Sequence, residues 1–265
     1  MVKLDSKVVL VTGAAGGLGS AMCAGLANAG HLVIAGVRGK VASPLESVAE
    51  VGIGRIYKIQ CDVANGEMCH SAVDEIVRKF GGVDVLVNNA AVGMDAVRVR
   101  TGNKSFRFYD LDETLWQQMM EVNVVGTFRL TRLVLRHQLD RRWGRIINVT
   151  TNLTTMQKEG YSPYGPSKAA IEAASVIWSK ELQGTGITVN VLTPGGPANT
   201  RVISFEDFPD RTLLVQPETM VPPLLWLISP AADAVTGRRY LAKLWRPDLP
   251  SSEAEAQAGG VAGWS

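Results

Sequence analysis

Tyr164 and Lys168 stand four residues apart in Tyr164-Gly-Pro-Ser-Lys168, at the head of a segment with helical period. In a helix that spacing puts both side chains on one face, where a phenol and an ammonium can act together. A free tyrosine ionises at about pH 10. To exchange a proton near neutrality it needs neighbouring positive charge, which a lysine and an oxidised nicotinamide ring would both supply. A second grouping, Thr12-Gly13-Ala14-Ala15-Gly16-Gly17-Leu18-Gly19, directly follows the apolar run Val8-Val9-Leu10-Val11 and opens a helical stretch, Ala21 to Ala29. Glycines reach positive φ, hold no side chain between backbone and a pyrophosphate, and aim a helix N-terminus at it. A dinucleotide is the ligand such a turn suits. Taken singly, each grouping also has an ordinary explanation: a strand-to-helix turn in a chain of 27 glycines, or a surface Tyr-Lys pair.

Residues so far apart act together only if strand ends deliver them to one edge. Short apolar runs at Val8–Thr12, Leu32–Gly36, Arg55–Gln60, Val83–Val87, Arg145–Thr150 and Ile187–Leu192 fit buried parallel strands, because they do not alternate with polar residues. Helical candidates lie between and after them at 17–29, 66–80, 112–138, 161–183 and 217–229; in the fourth, Ile171, Val176 and Ile177 form the apolar face. The alternation predicts an α/β fold, a doubly wound parallel sheet with right-handed crossovers in a single domain over residues 1–247. Two segments break the rhythm. Val92 to Asp110 carries Arg98, Arg100, Lys104 and Arg107 with Phe106, Phe108 and Tyr109, and reads as a solvated excursion or the lining of a substrate entrance. Pro197 to Gln216 follows a strand end without a strong pattern and is a candidate lid. The tail, 248–265, is polar and small, expected to fray unless a neighbouring subunit holds it.

Composition narrows the partners. With 27 Lys plus Arg against 25 Asp plus Glu, no global field favours nucleic acid or an anionic membrane. Nothing approaches a membrane-spanning stretch, and Asp5 among the first lysines, with Gly13 breaking the following apolar run, argues against a signal peptide. Cys23, Cys61 and Cys69 are sparse and lack metal-ligand spacing. They read as reduced packing residues of a cytoplasmic protein that needs no metal.

The order of the motifs resembles the short-chain dehydrogenase/reductase family almost end to end. It comprises Thr12-Gly13-xxx-Gly17-x-Gly19, Asp62-Val63 after the third strand, Asn88-Asn89-Ala90-Ala91 after the fourth, Asn123 in a long helix, Tyr164 with Lys168, and Pro194-Gly195 after the sixth. The doubled Gly16-Gly17 also fits the loop of the longer, two-part members, while the short C-terminal region and Asn-Asn-Ala favour the compact, Rossmann-type branch. The resemblance implies a tetrad of Asn123, Thr151, Tyr164 and Lys168. Tyr164 would pass a proton to a carbonyl oxygen or take one from an alcohol, and Lys168 would hold the nicotinamide ribose and lower the tyrosine pKa. Asn123 would interrupt its helix and anchor a water leading protons to that lysine; a buried amide bonded to backbone is its plainer role. Thirteen residues before Tyr164, where the family normally has serine, this chain has Thr151. Its hydroxyl keeps the chemistry possible, and its methyl restricts χ1 and crowds the pocket. Ala91 likewise replaces a usual glycine.

The resemblance also implies a cofactor cradle of Gly13, Gly17, Leu18, Gly19, Arg38, Asp62, Val63, Asn89, Ala90, Ala91, Tyr164, Lys168, Pro194 and Gly195. At the second strand's end, where NAD-dependent relatives have Asp, stands Val37, followed by Arg38. A guanidinium suits a 2′-phosphate, so NADP(H) is expected over NAD(H), although the glycine loop lacks a second basic residue. The expected activity is interconversion of a carbonyl and a secondary alcohol on a small-molecule substrate. The alternatives are an NAD(+)-dependent alcohol or sugar dehydrogenase, and a cofactor-binding sensor weakened at Thr151. A pocket lined by Arg98 or Arg107 would indicate an anionic substrate. A homodimer or homotetramer joined through the helices at 112–138 and 161–183 is the family expectation, and Trp226, Trp245 and Trp264 are read as structural.

Overall fold

The computed structural model describes residues 6–39, 48–51, 54–101, 106–206 and 208–264; Lys104, the side chain of Arg100 and residues 1–5 lie outside that description. Its strands are β1 (Val8–Thr12), β2 (Leu32–Val37), β3 (Val48–Val51), β4 (Gly54–Gln60), β5 (Val85–Asn88), β6 (Gly144–Val149), β7 (Ile187–Thr193), β8 (Arg238–Leu241) and β9 (Gly259–Val261). They form one sheet in the order β3-β4-β2-β1-β5-β6-β7-β8-β9. The run from β4 to β8 is parallel, and antiparallel β3 and β9 close the edges. Winding reverses between β1 and β5, which opens a crevice at the carboxyl ends of these two strands.

The helices are α1 (Gly17–Asn28), α2 (Gly66–Phe80), α3 (Met94–Thr101), α4 (Glu113–Met120), α5 (Gly126–Arg141), the one-turn α6 (Leu153–Met156), α7 (Tyr164–Glu181), α8 (Val221–Leu227) and α9 (Ser251–Ala258). Successive residues of a strand point to opposite faces, and β1 serves two cores. Val9 and Val11 pack with Met22 and Leu26 of α1 and Leu224 of α8, while Leu10 packs with Val73 and Ile76 of α2 and Leu130 of α5. This double covering is why the strands are apolar without alternation.

Several sequence expectations need correction. The helix expected at 112–138 divides into α4 and α5, and the interruption expected at Asn123 takes the form of a π turn at Glu121–Val125. The described residues of 92–110 are only in part a solvated excursion, with Val99, Phe108 and Tyr109 exposed. They contain α3, and Met94, Val97 and Phe106 form a small core with Leu115 and Met119, against which Tyr161 and Tyr164 pack. The apolar face expected for α7 holds at Ile171 but not at Ile177, which is 54% exposed; the buried face runs through Ser167, Lys168, Ile171, Glu172, Ser175 and Ser179. Small and polar residues bring that helix close to the polar end of β6, where the Asn148 amide donates to Ser175 Oγ at 2.8 Å.

The tail does not fray. Ala254 and Ala258 of α9 are buried beside Tyr240 and Trp245, and β9 pairs with β8, Gly259 opposite Tyr240 and Val261 opposite Arg238. Alanine and glycine leave little hydropathy signal, yet their small size permits this close packing. Trp226 and Trp245 pack at 5.3 Å between ring centroids, while Trp264 remains about half exposed. The three cysteines are buried and unpaired with one another by disulfide. Among the described residues no helix is long and apolar enough to cross a membrane, and no cluster of three or more His, Cys, Asp or Glu could hold a metal.

Candidate active site

The crevice between β1 and β5 is locked by Thr12 and Asn89. Thr12 Oγ1 accepts from the backbone N–H of Asn89 at 3.0 Å and of Ala90 at 2.9 Å, and Asn89 Nδ2 donates to Thr12 O at 2.9 Å. Gly13 follows with φ +64°, and a Cβ there would lie 2.8 Å from Ala90 Cα. A Cβ on Gly19 would overlap the Gly13 carbonyl. These two glycines are therefore required by the loop's packing on itself, independently of any ligand. The loop ends at Gly16, which precedes α1 in extended conformation without a side-chain cap, and the first turn has no acidic residue. Backbone N–H groups of that turn face outward without a capping side chain, a fit for a pyrophosphate.

Around this cradle, Val37 ends β2 and Arg38 follows it, exposed, with no acid at the strand end. Asp62 Oδ1 accepts from Ala64 N at 3.0 Å, shaping the turn past β4, while Val63 is buried. Ala91 is exposed at the crevice rim. Past β7, Pro194 O accepts from Lys243 N at 3.1 Å and Gly195 turns with φ +84°. The segment 197–216 leaves from here and folds over the loop: Thr200 Cγ2 lies 2.9 Å from where a Gly17 Cβ would be, and Val202 comes equally close to Gly93. Arg211 braces it, donating to Asn199 Oδ1 at 2.9 Å and to the Thr200 and Ile203 carbonyls at 2.8 Å. The candidate lid thus spans from the glycine loop to the residues after β5.

Tyr164, half-buried, begins α7, and Lys168 lies one turn on with its Nζ 5.9 Å from the Tyr164 ring centroid. Lys168 is 95% buried and donates to Val149 O at 2.9 Å. An ammonium has three donors, so others remain for ribose hydroxyls. Thr151, just past β6, acts on Tyr164 from the strand end and draws its phenol downward. Burial pushes the Tyr164 phenol up to about 12, outweighing the lowering by Thr151, and burial pushes Lys168 down to about 8. The expectation that Lys168 lowers the tyrosine pKa is therefore not met by the protein's own groups, because desolvation dominates both residues.

Asn123 interrupts its helix as expected, but its amide is already engaged. Oδ1 accepts from Val92 N at 2.8 Å, and Nδ2 donates to Val92 O at 3.1 Å and to Ser167 Oγ at 2.9 Å. Ser167 in turn donates to Tyr164 O at 2.7 Å. The amide thereby ties the strand-β5 exit to the first turn of α7. Sequence reasoning missed Ser167, and it missed Glu172, whose spacing from Lys168 repeats that of Lys168 from Tyr164. It also missed Arg239, which no local pattern marks. Beside Tyr164's core, a cavity of about 370 Å³ is lined by Met94, Arg98, Phe106, Lys158 and Tyr161, among others, and Arg107 pairs with Glu159 at its margin.

Comparison with known proteins agrees with this arrangement. The model of the family described as short chain dehydrogenase matches residues 7–206. A 3-oxoacyl-(acyl-carrier-protein) reductase of Thermotoga maritima is 30% identical over 246 residues, covering 89% of this chain and 96% of the relative. Fluoren-9-ol dehydrogenase of a Terrabacter species is 29% identical, covering 93% of this chain and 73% of that protein. Among solved structures, an actinorhodin polyketide ketoreductase with NADPH matches at a TM-score of 0.74 and 30% identity, over 88% of this chain and 94% of that one. With the crevice, the Tyr-Lys turn and the sheet order in place, the chain belongs to the short-chain dehydrogenase/reductase family of oxidoreductases.

Proposed function

We propose that this protein is an NADP(H)-dependent reductase that interconverts a carbonyl and a secondary alcohol, with Tyr164 moving the proton. The observation that carries the reading is buried Lys168 one turn from Tyr164, its Nζ 5.9 Å from the Tyr164 ring centroid and bonded to Val149 O at the end of β6, at the strand edge that also holds the uncapped α1 N-terminus. The cradle from Gly13 to Gly19 would hold the pyrophosphate, Lys168 the nicotinamide ribose, and Arg38 the 2′-phosphate; when bound, the cofactor supplies a hydride and, oxidised, a positive charge. Tyr164, raised to about 12, is a protonated phenol at neutral pH and so stands ready to give its proton to a substrate oxygen. Thr151 orients that oxygen with a second hydroxyl. Asn123 acts as a positioning residue through Val92 and Ser167.

Exposed Arg38 after β2, with no acid at that strand end, favours NADP(H) over an NAD(+)-dependent dehydrogenase. The intact Tyr164–Lys168 turn, with Lys168 buried and anchored on Val149 O, favours an active enzyme over a sensor. The cavity lining mixes Arg98 and Lys158 with Glu159, which supports a polar substrate at this mouth. Two relatives named as reductases, one seen with NADPH, support both the direction and the cofactor. Exposed Phe128 on α5 and Ile177 on α7 support self-association through those helices as a homodimer or homotetramer. The test is NADPH oxidation against a panel of ketones, aldehydes, quinones and ketoacids, repeated with NADH. Tyr164→Phe should lower kcat by roughly a thousandfold, the scale of a general acid, with NADPH binding nearly intact; retained turnover refutes the mechanism.

A further inference from the structure

Glu172 is wholly buried on α7, one turn beyond Lys168, and so lies on the same helix face as Tyr164 and Lys168. Its partner is Arg239 of β8, 95% buried, with Nη1 2.7 Å from Glu172 Oε2. The further bonds of this pair lead to the strand end after β6 and to Gly263. Glu172 Oε2 also accepts from Thr150 Oγ1 at 2.9 Å; Arg239 Nη2 donates to Thr151 O at 2.5 Å, and Nη1 reaches Thr150 Oγ1 at 3.4 Å. Glu172 Oε1 accepts from Gly263 N at 3.2 Å. Alongside, Ala262 N donates to Gly237 O at 3.0 Å, which seats the terminus against the entry to β8.

A buried ion pair is a poor source of stability, since apolar replacements of similar size are often as stable. What a guanidinium supplies that apolar side chains do not is direction: a rigid planar fork with donors in fixed relation. Here one nitrogen of the fork binds the helix that carries Tyr164, and the other binds the main chain of Thr151. We propose that Glu172 and Arg239 are positioning residues that set the spacing between the Thr151 and Tyr164 hydroxyls, and that the Gly263 N–H completes the device by holding the carboxylate. The inference rests on the reading of those two hydroxyls as the groups that meet the substrate oxygen. Misplacement of a reacting group by about 1 Å can cost on the order of a hundredfold in rate, so a device that fixes this distance acts on kcat rather than on binding.

The test uses the full chain with NADPH and the best ketone from the panel. It compares the parent, Tyr164→Phe, the double variant Glu172→Leu with Arg239→Met, the single variant Arg239→Lys, and a chain ending at Ala262. The double variant replaces the pair by apolar side chains; Arg239→Lys keeps the charge beside Glu172 but not the fork. Both should bind NADPH within about twofold of the parent by fluorescence titration, with KM for NADPH unchanged, while kcat falls about tenfold or more. The shortened chain should lose about threefold in kcat with the same cofactor affinity. A kcat within twofold of the parent in a folded pair variant overturns the inference, and Arg239→Lys decides it if the double variant does not fold. An unchanged kcat in the shortened chain overturns the role of Gly263. If Tyr164→Phe is as active as the parent, the functional reading itself fails; if Tyr164→Phe is inactive and the pair variants are not, only the positioning role fails.

Discussion

Thr151 is the residue at which this chain departs most from its family, and the structure gives the departure a physical content. Its hydroxyl keeps a donor at the end of β6, so the methyl acts on the shape of the pocket rather than on the presence of the donor. Thr151→Ala should lower kcat by about a hundredfold, as loss of one donor to a developing oxyanion does, whereas Thr151→Ser should keep turnover and widen the substrate range; steady-state kinetics over the ketone panel measure both. Arg38→Ala should raise KM for NADPH at least tenfold while leaving that for NADH within twofold, because only the former has a 2′-phosphate to lose. The buried lysine has a consequence for stability. Lys168 is lowered from 10.5 to about 8, so between these values the unfolded chain holds a proton that the folded chain has released. Stability of the cofactor-free protein should therefore rise as pH increases from about 8 towards 10. Tyr164, raised to about 12, acts oppositely above its ordinary value, since the unfolded phenol then ionises first. Thermal melts at half-unit pH steps should show that rise, and Lys168→Met should abolish it.

At the scale of elements, the site is held by breaks in regular structure. The π turn at Glu121–Val125 sets Asn123 inward, and the amide joins Val92, Ser167 and through it Tyr164. A continuous helix would point that residue elsewhere, which is why such bulges accompany functional sites. The polar face of α7 serves the same end, since Ser167 and Ser175 allow close approach to the strand ends that larger apolar residues would prevent. The described residues of 197–216 are braced by Arg211 and by Gln216, which accepts from Asn199 Nδ2 and donates to the Arg211 and Leu214 carbonyls. Arg211→Ala removes three bonds, to Asn199, Thr200 and Ile203, and should loosen this segment without touching the core. Its expected signature is a rise of about tenfold in KM for both cofactor and substrate with a smaller change in kcat, read from initial rates, as for a loop that closes over a site.

For the whole molecule, the carboxyl edge of the sheet gathers residues separated by most of the chain's length, and the terminus closes the far side. Helix α9 and β9 cover Tyr240 and pair with β8, and Tyr240 donates to Glu255 Oε1 at 2.9 Å. Deleting residues 251–265 should expose this aromatic cluster and the β8 edge. Buried area and hydrogen bonds lost together put the cost on the order of 3 kcal/mol, a fall of roughly 6–12 °C in Tm by calorimetry. A tail that only frayed would leave the melting temperature unchanged.

Local pattern was enough to determine the parallel strands β1, β2, β4, β5, β6 and β7, the glycine loop and the Tyr164–Lys168 turn, but not the antiparallel edge strand β3, because buried parallel strands are unbroken apolar runs and a helical turn fixes what lies four residues apart. Motif order was enough to indicate the family. What the tertiary structure alone decided are features whose residues have no local signal. Gly13 and Gly19 are required by contacts with Ala90 and with each other's loop, and the small residues of α9 and β9 pack only because Tyr240 and Trp245 wait for them. The direction of the Tyr164 and Lys168 pKa shifts followed from burial, which no spacing reveals. Arg239 meets Glu172 and Thr151 across the sheet, a juxtaposition set by strand order rather than by distance along the chain.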